Sequence, residues 1–337
     1  MKTQLSNLDK NDEFDRSLLT SRAPGLALNT SIFTELFMQF DIIDILNKER
    51  FHGRITEQFR RKMNFEINKY DKKTISNELG ISLQTLYRIL DIKFYWINIE
   101  TLFSLCRILK IDTSYIKNNI FMFKTKNSFP ISTKSIVLDK HFARTVGHVL
   151  GDGGIHIIEN EGKYRIFYAN TQDILLDCFY EDVTSIFPDA HLYSRKRVDR
   201  ASEIWLPTTV SSILYSVFDM KDCKLRRVPK FVYNWDEHYI GAFLQALFDD
   251  EGYIYPQKNT IAISLSNREL LNDIKILLEM HGIISNPIKS TNSKTRSRMF
   301  YFYITGRKNI KNFNSFVGFL HPTKADKLRV LISKYGD

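Results

Sequence analysis

TVGHVLGDG, Thr145–Gly153, and LQALFDDEG, Leu244–Gly252, are two versions of one pattern, a short apolar helix ending in an acid and a glycine. Small residues recur at helical spacing, Gly147 and Gly151 in the first copy and Ala246 in the second, so two such helices could approach closely along one line. Each line then delivers a carboxylate, Asp152 or Glu251. The C-terminal end of a helix carries partial negative charge, so an acid there is costly. Gly153 and Gly252 read as the helix stops. Packed side by side, the helices would bring the acids together, each resisting ionisation unless a cation lies between them. A hard divalent ion such as Mg²⁺, or Mn²⁺, prefers the carboxylate and water oxygens available there.

The repetition runs beyond these stretches. An apolar hairpin follows each copy, Gly154–Ala169 and Tyr253–Leu265, and similar helical starts come next, NTQDILLD from Asn170 and SNRELLND from Ser266. Second strand pairs are expected at His191–Leu206 and Pro287–Ile304, with helices at Val210–Phe218 and Ile310–Phe319. The unit therefore reads as αββαββα, once over 139–235 and again over 236–337.

With these residues in view, the chain resembles the LAGLIDADG homing endonucleases in their single-chain, two-motif form. The acid at the eighth motif position is present in both copies, and Gly147 matches the third-position glycine. Ala246 departs mildly from it, and Asp250 stands where the second copy would carry a small residue. The resemblance covers roughly Leu138 to Leu331 and implies an α+β fold with pseudo-twofold symmetry in a monomer. It also implies two saddle-like sheets laid along a long double-stranded DNA target, asymmetric because the halves differ.

Phosphodiester hydrolysis needs an activated water, charge neutralisation at phosphorus and a stabilised leaving oxygen, all within reach of carboxylate-held metal ions. Asp152 and Glu251 are the expected metal ligands. Arg226 lies 74 positions beyond the first acid and Lys324 lies 73 beyond the second. Their surroundings, RRVP and HPTK, resemble places where the family puts a basic residue near the active site, and Lys224 is an alternative to Arg226. A solvated surface charge is the competing reading for each. Strand alternation nominates Lys163 and Arg165, then Tyr193, Arg195 and Arg197, then Lys289, Arg296 and Arg298 as groove-facing residues; charged guards of strand edges are the alternative.

Within Arg54–Asp112 the pattern is read as short helices, giving an all-α domain over 31–117. Its centre, TISNELGISLQTLYRIL from Thr74 to Leu90, resembles a phage-repressor helix-turn-helix. Gly80 supplies the turn, Ser82 caps the second helix, and Ile75, Leu79, Ile81, Leu86 and Ile89 form the core. Gln84, Thr85, Tyr87 and Arg88 are left outward for base edges and phosphates. An ordinary helical bundle is the competing reading. Residues 1–30 read as a flexible lead, Ile32 to Leu46 as an amphipathic helix, and 118–138 as a basic linker.

Composition agrees with this division. The 337 residues are 43% hydrophobic, enough for proper cores, and the net charge of +10 favours a polyanionic partner. No apolar run reaches membrane-spanning length and the start is too polar for a secretory signal, so a cytoplasmic protein is expected. Cys106, Cys178 and Cys223 lack the paired spacing of a zinc ribbon. His148 is read as a packing residue. No lysine-bearing glycine-rich loop for nucleotide phosphates is present, and the ends, Met1 and SKYGD, read as freestanding or intron-encoded rather than self-splicing. A transcription regulator on the same scaffold, or an RNA maturase, are the competing functions.

Overall fold

Inward-pointing Phe51, Gly53 and Ile55 alternate with more exposed neighbours, and this period of two makes a strand where the N-terminal region was expected to be all helix. The computed structural model describes residues 39–91, 93, 96–158, 163–198, 200–218, 226–291 and 298–335. The expected lead, residues 32–38 of the expected first helix, Lys224 and Arg296 lie outside them; in the described part of that helix Gln39–Asp41 is instead a strand, and Ile42–Ile45 makes one helical turn. In chain order the N-terminal elements are β1 (Gln39–Asp41), α1 (Ile42–Ile45), β2 (Phe51–Ile55), α2 (Glu57–Ile67), α3 (Lys72–Glu78), α4 (Leu83–Leu90), β3 (Ile97–Asn98), α5 (Ile99–Ile108), α6 (Thr113–Asn119), β4 (Ile120–Thr125) and β5 (Ser135–Val137).

Strand β2 sits between β3 and β4 in an antiparallel sheet, and β1 pairs with β5. The segment read as a linker is thus built into the fold. Phe123, Ile131 and Ile136 are buried, and Phe123 and Ile131 exchange main-chain hydrogen bonds of 2.9 and 2.8 Å. The strands of this stretch, β4 and β5, pair with β2 and β1 far away in sequence, which is why local pattern reads it poorly.

In the segment resembling a helix-turn-helix, two short helices flank a glycine turn. Asp71 accepts from Thr74 N to start α3, Gly80 takes φ +63° in the turn, and Ser82 accepts from Thr85 N to start α4. Ile75, Leu86 and Ile89 are buried with Leu79 and Ile81 against them, while Gln84, Thr85, Tyr87 and Arg88 are exposed. Buried Arg60 donates to the carbonyls of Ile89 and Asp91 and so ties α2 to the end of α4.

The duplicated region follows as α7 (Lys140–Leu150), β6 (Gly153–Ile158), β7 (Lys163–Asn170), α8 (Asp173–Ile186), β8 (Tyr193–Arg195), β9 (Ser202–Trp205) and α9 (Thr208–Phe218). Its second copy is α10 (Glu237–Glu251), β10 (Gly252–Tyr255), β11 (Thr260–Leu265), α11 (Arg268–Met280), β12 (Lys289–Ser290), β13 (Phe300–Thr305) and α12 (Arg307–Phe316), and α13 (Pro322–Ser333) closes the chain. Both sheets are antiparallel and share one order, β6-β7-β9-β8 and β10-β11-β13-β12. The expected αββαββα unit is therefore observed twice in an α+β protein.

Each sheet buries one face. Ile166, Tyr168 and Ile204 point inward in the first, and Ile261, Ile263, Phe302 and Ile304 in the second. A buried apolar side chain of this size contributes about 1.5–3 kcal/mol. The N-terminal elements attach to the first copy through Thr125 N, which donates to Thr209 Oγ1 at 3.2 Å, and Arg50, which donates to the Tyr164 hydroxyl at 2.8 Å. Among the described residues no helix is long and apolar enough to cross a membrane.

Candidate active site

Helices α7 and α10 pack against each other along their small residues. A Cβ on Gly147 would lie 2.5 Å from the Phe243 carbonyl oxygen and 2.7 Å from the Ala246 Cβ, and one on Gly151 would lie 2.5 Å from Asp250 Oδ2. Gly147, Gly151 and Ala246 thus form the predicted interface. The stops differ from expectation: neither Gly153 nor Gly252 takes a positive φ. They are glycine because a Cβ would strike the preceding turn, 2.5 Å from Val149 Cα and 2.6 Å from the Phe248 carbonyl oxygen respectively.

This packing brings the two motif acids to neighbouring helix ends. Asp152 keeps solvent access and Glu251 is half-buried. Desolvation and the Asp250 carboxylate push the Asp152 pKa up to about 6, and desolvation, Asp152 and Asp250 push Glu251 up to about 7. Like charges crowd a poorly hydrated corner, the state that a divalent cation relieves. Among the described residues no group of three or more His, Cys, Asp or Glu side chains forms a metal cage. A pair of carboxylates suffices for Mg²⁺, which keeps several waters and takes further oxygens from phosphate.

Asp250, the residue that departs from the motif, organises the surroundings. Its side chain has no exposure, yet it accepts from the Tyr168 hydroxyl at 2.7 Å, lies 3.1 Å from His148 Nδ1, and accepts from the Asp152 main-chain N–H at 3.3 Å. Asn170 Nδ2 donates to Asp152 Oδ2 at 3.0 Å and to the Tyr168 hydroxyl at 3.1 Å. Burial opposes charging of His148, but Asp250, with Asp249 and Asp182 behind it, outweighs burial and raises its pKa. His148 also packs on Tyr168, ring centroids 4.7 Å apart, in keeping with a packing role. Asn170, Tyr168 and Asp250 were missed as site residues, since nothing in their local pattern separates them from ordinary core and cap positions.

The two late basic residues occupy equivalent places. Arg226 is buried and its Nη1 donates to the carbonyls of Val149 and Gly153, at 3.0 and 3.1 Å. Lys324 Nζ donates to the carbonyls of Phe248 and Asp250, at 3.2 and 3.1 Å, and to that of Asp249 between them. Each cation is committed to main-chain oxygens at the end of a motif helix. There it neutralises the helix terminus that made an acid costly. The Lys324 charge also opposes the upward shifts of Asp152 and Glu251. Asp249, pushed up to about 6 chiefly by burial, accepts the main-chain N–H groups of Leu320 and His321 and ties α10 to the segment before α13.

Residues 238–318 match the family model described as the LAGLIDADG-like domain. The match lies within the second copy. The resemblance read from the motif residues is thereby borne out. The chain is 27% identical over 202 residues to the replication factor C small subunit of Thermococcus kodakarensis, a match covering 59% of this chain and 22% of that protein. It spans 12% of a probable translation initiation factor IF-2 of the same organism, at 26% identity over 41% of this chain. It is also similar to the homing endonuclease I-DmoI in complex with DNA and Mn, at 16% identity and TM-score 0.40 over 53% of this chain and 96% of that one.

In the second copy the outward sheet face carries four tyrosines. Tyr253 and Tyr255 have ring centroids 5.1 Å apart, Tyr301 and Tyr303 5.3 Å, and the exposed Lys289 pairs directly with Tyr301. Arg298 donates to Ser290 Oγ at 3.0 Å and lies over the Phe300 ring. The first copy presents charge instead. Arg165, Tyr193 and Arg195 are exposed on its outward face, Arg197 is drawn into an ion pair with Glu203 at 2.7 Å, and Lys163 opens β7, its side chain outside the described residues. The tyrosine face was not foreseen, although FYFYIT alternates visibly.

Proposed function

We propose that the chain is a site-specific double-strand DNA endonuclease that recognises a long asymmetric target. The observation that carries this is the meeting of Asp152 and Glu251 at adjoining helix ends, Asp152 raised by burial and Asp250, Glu251 by burial, Asp152 and Asp250. Asp152 and Glu251 would hold the divalent metal, Mg²⁺ or Mn²⁺. When bound, the cation supplies positive charge to the phosphate and favours an ionised water near neutral pH. Asn170 fixes the Asp152 carboxylate, Asp250 fixes the turn that carries it, and Arg226 and Lys324 offset the negative helix ends. Lys224 is the candidate for a further cation on the phosphate.

The outward sheet faces supply recognition, since a two-stranded ribbon fits the major groove. Arg165, Arg195, Arg197 and Lys163 serve one half; Lys289, Arg296, Arg298 and the tyrosines serve the other. The exposed face of α4, with Gln84, Thr85, Tyr87 and Arg88, adds a second reader. That second reader also favours a regulator that binds without cutting. The retained acids favour cleavage.

The test is incubation of the full chain with a randomised duplex library in Mg²⁺ or EDTA, followed by sequencing of the ends. Discrete double-strand ends in Mg²⁺ alone, absent for Asp152→Asn, support the endonuclease. Tight duplex binding with no ends in either condition would leave the regulator.

A further inference from the structure

A cavity of 430 Å³ opens beside the outward face of the first sheet, bounded by Phe129, Arg165, His191, Tyr193, Arg195 and Trp205 among others. No acid lines it. Its size lies in the range of small-ligand sites. Arg165 and Arg195 have no ion pair among the described residues, whereas the next arginine, Arg197, is neutralised by Glu203. Their charge is left for an incoming anion.

The aromatic wall is built to stay open. Phe129 is 63% exposed and Tyr193 is 64% exposed, an unfavourable place for a large ring unless something covers it. The Phe129 main chain is nevertheless anchored, and its ring lies 5.1 Å from that of His191. Thr209, itself fully buried, donates from N to Ser128 Oγ at 3.2 Å and from Oγ1 to the Phe129 carbonyl at 2.9 Å, and its Oγ1 lies 3.0 Å from Ser128 Oγ. Asn127 takes a left-handed φ of +61° to make the turn. Trp205 is fixed from the other side by stacking on Phe167 and by donating to Glu203 Oε2 at 3.0 Å. The cavity thus combines preset aromatic surfaces with two free guanidinium groups.

We propose that this cavity takes a single unstacked deoxynucleotide, its base against Phe129 and Tyr193 and its phosphate on Arg165 and Arg195. Base–aromatic stacking beside a cationic track is how proteins hold single-stranded nucleic acid without base-edge readout. The site adds to the duplex-facing sheet a pocket built partly by the N-terminal region, through Asn127–Phe129. The inference rests on the DNA-binding reading above.

The experiment compares full-length protein binding to a short blunt duplex and to the same duplex carrying a single-stranded tail with a fluorescent base analogue. The tailed probe binds more tightly and its analogue is quenched. Phe129→Ala weakens tailed-probe binding about 5- to 150-fold, the range that loss of one base–aromatic stack produces, and leaves blunt-duplex binding within about twofold. Phe129→Tyr keeps the preference for the tail. Equal affinity for the two probes, or a Phe129→Ala variant that loses both probes alike, overturns the nucleotide pocket while leaving duplex recognition standing. Failure of the parent protein to bind either probe removes the DNA-binding reading itself, and this proposal with it.

Discussion

Replacing Glu251 with Gln should stabilise the metal-free protein at high pH while abolishing cleavage. Glu251 is raised from 4.5 to about 7 by desolvation and by Asp152 and Asp250. Its proton is therefore held more tightly in the folded state than in the unfolded one. Below pH 4.5 both states are protonated and Glu251 contributes no penalty. As pH rises from 4.5 through about 7, the unfolded chain ionises first and the folded protein loses stability, a loss complete above pH 7. At about 1.36 kcal/mol per tenfold change in proton affinity the shift amounts to roughly 3 kcal/mol. Glu251 is half-buried, so solvent screening reduces this to about 1–2 kcal/mol. Glu251→Gln removes the ionisation and keeps the shape. Urea unfolding in EDTA should find the variant and the parent equal at pH 4 and the variant about 1–2 kcal/mol more stable at pH 8. Added Mg²⁺ should restore the parent and leave the variant unchanged. A variant no more stable than the parent at pH 8, or equally stabilised at both pH values, would refute the crowding of the acids.

Gly147→Ala places a Cβ 2.5 Å from the Phe243 carbonyl oxygen and should cost about 1–3 kcal/mol in urea unfolding; cleavage should fall far more than duplex affinity, because the acids are spread apart. Lys324→Met leaves helix-end carbonyls without their donor, costing about 1–3 kcal/mol, and removes the charge that lowers Asp152 and Glu251, so the rise of activity with pH should move to higher pH. Arg88→Ala should weaken specific binding by about 1–3 kcal/mol and relax sequence preference at one base pair, read by competition against a randomised duplex. Unchanged preference would return α4 to a structural role.

The helix pair was legible because its pattern is local: small residues at helical spacing and a terminal acid, repeated once. The duplicated strands were legible for the same reason, and the repeat doubled the signal. The N-terminal sheet was not. Its strands are two to six residues long, and β2 finds its partners at Ile97–Asn98 and Ile120–Thr125, so nothing within a local window marks the pairing. The site shows the same limit. Arg226 and Lys324 were singled out by registration with the acids, but that they face main-chain carbonyls follows only from the third dimension. Asp250 looked like a flaw in the second motif. Burial with His148, Tyr168 and Asn170 from the other copy makes it the acceptor at the centre of the site, and the asymmetry it introduces has no counterpart in the first motif, where Gly151 stands.

The most direct test of the central claim is Mn²⁺ binding, followed by the electron paramagnetic resonance signal of the free ion, across pH for the parent, Asp152→Asn and Glu251→Gln. The account predicts that the parent takes up Mn²⁺ as pH rises through about 6 to 7, where Asp152 and Glu251 ionise, and that each variant loses most of this uptake. Equal uptake by all three proteins, or none by the parent above pH 8, would contradict it.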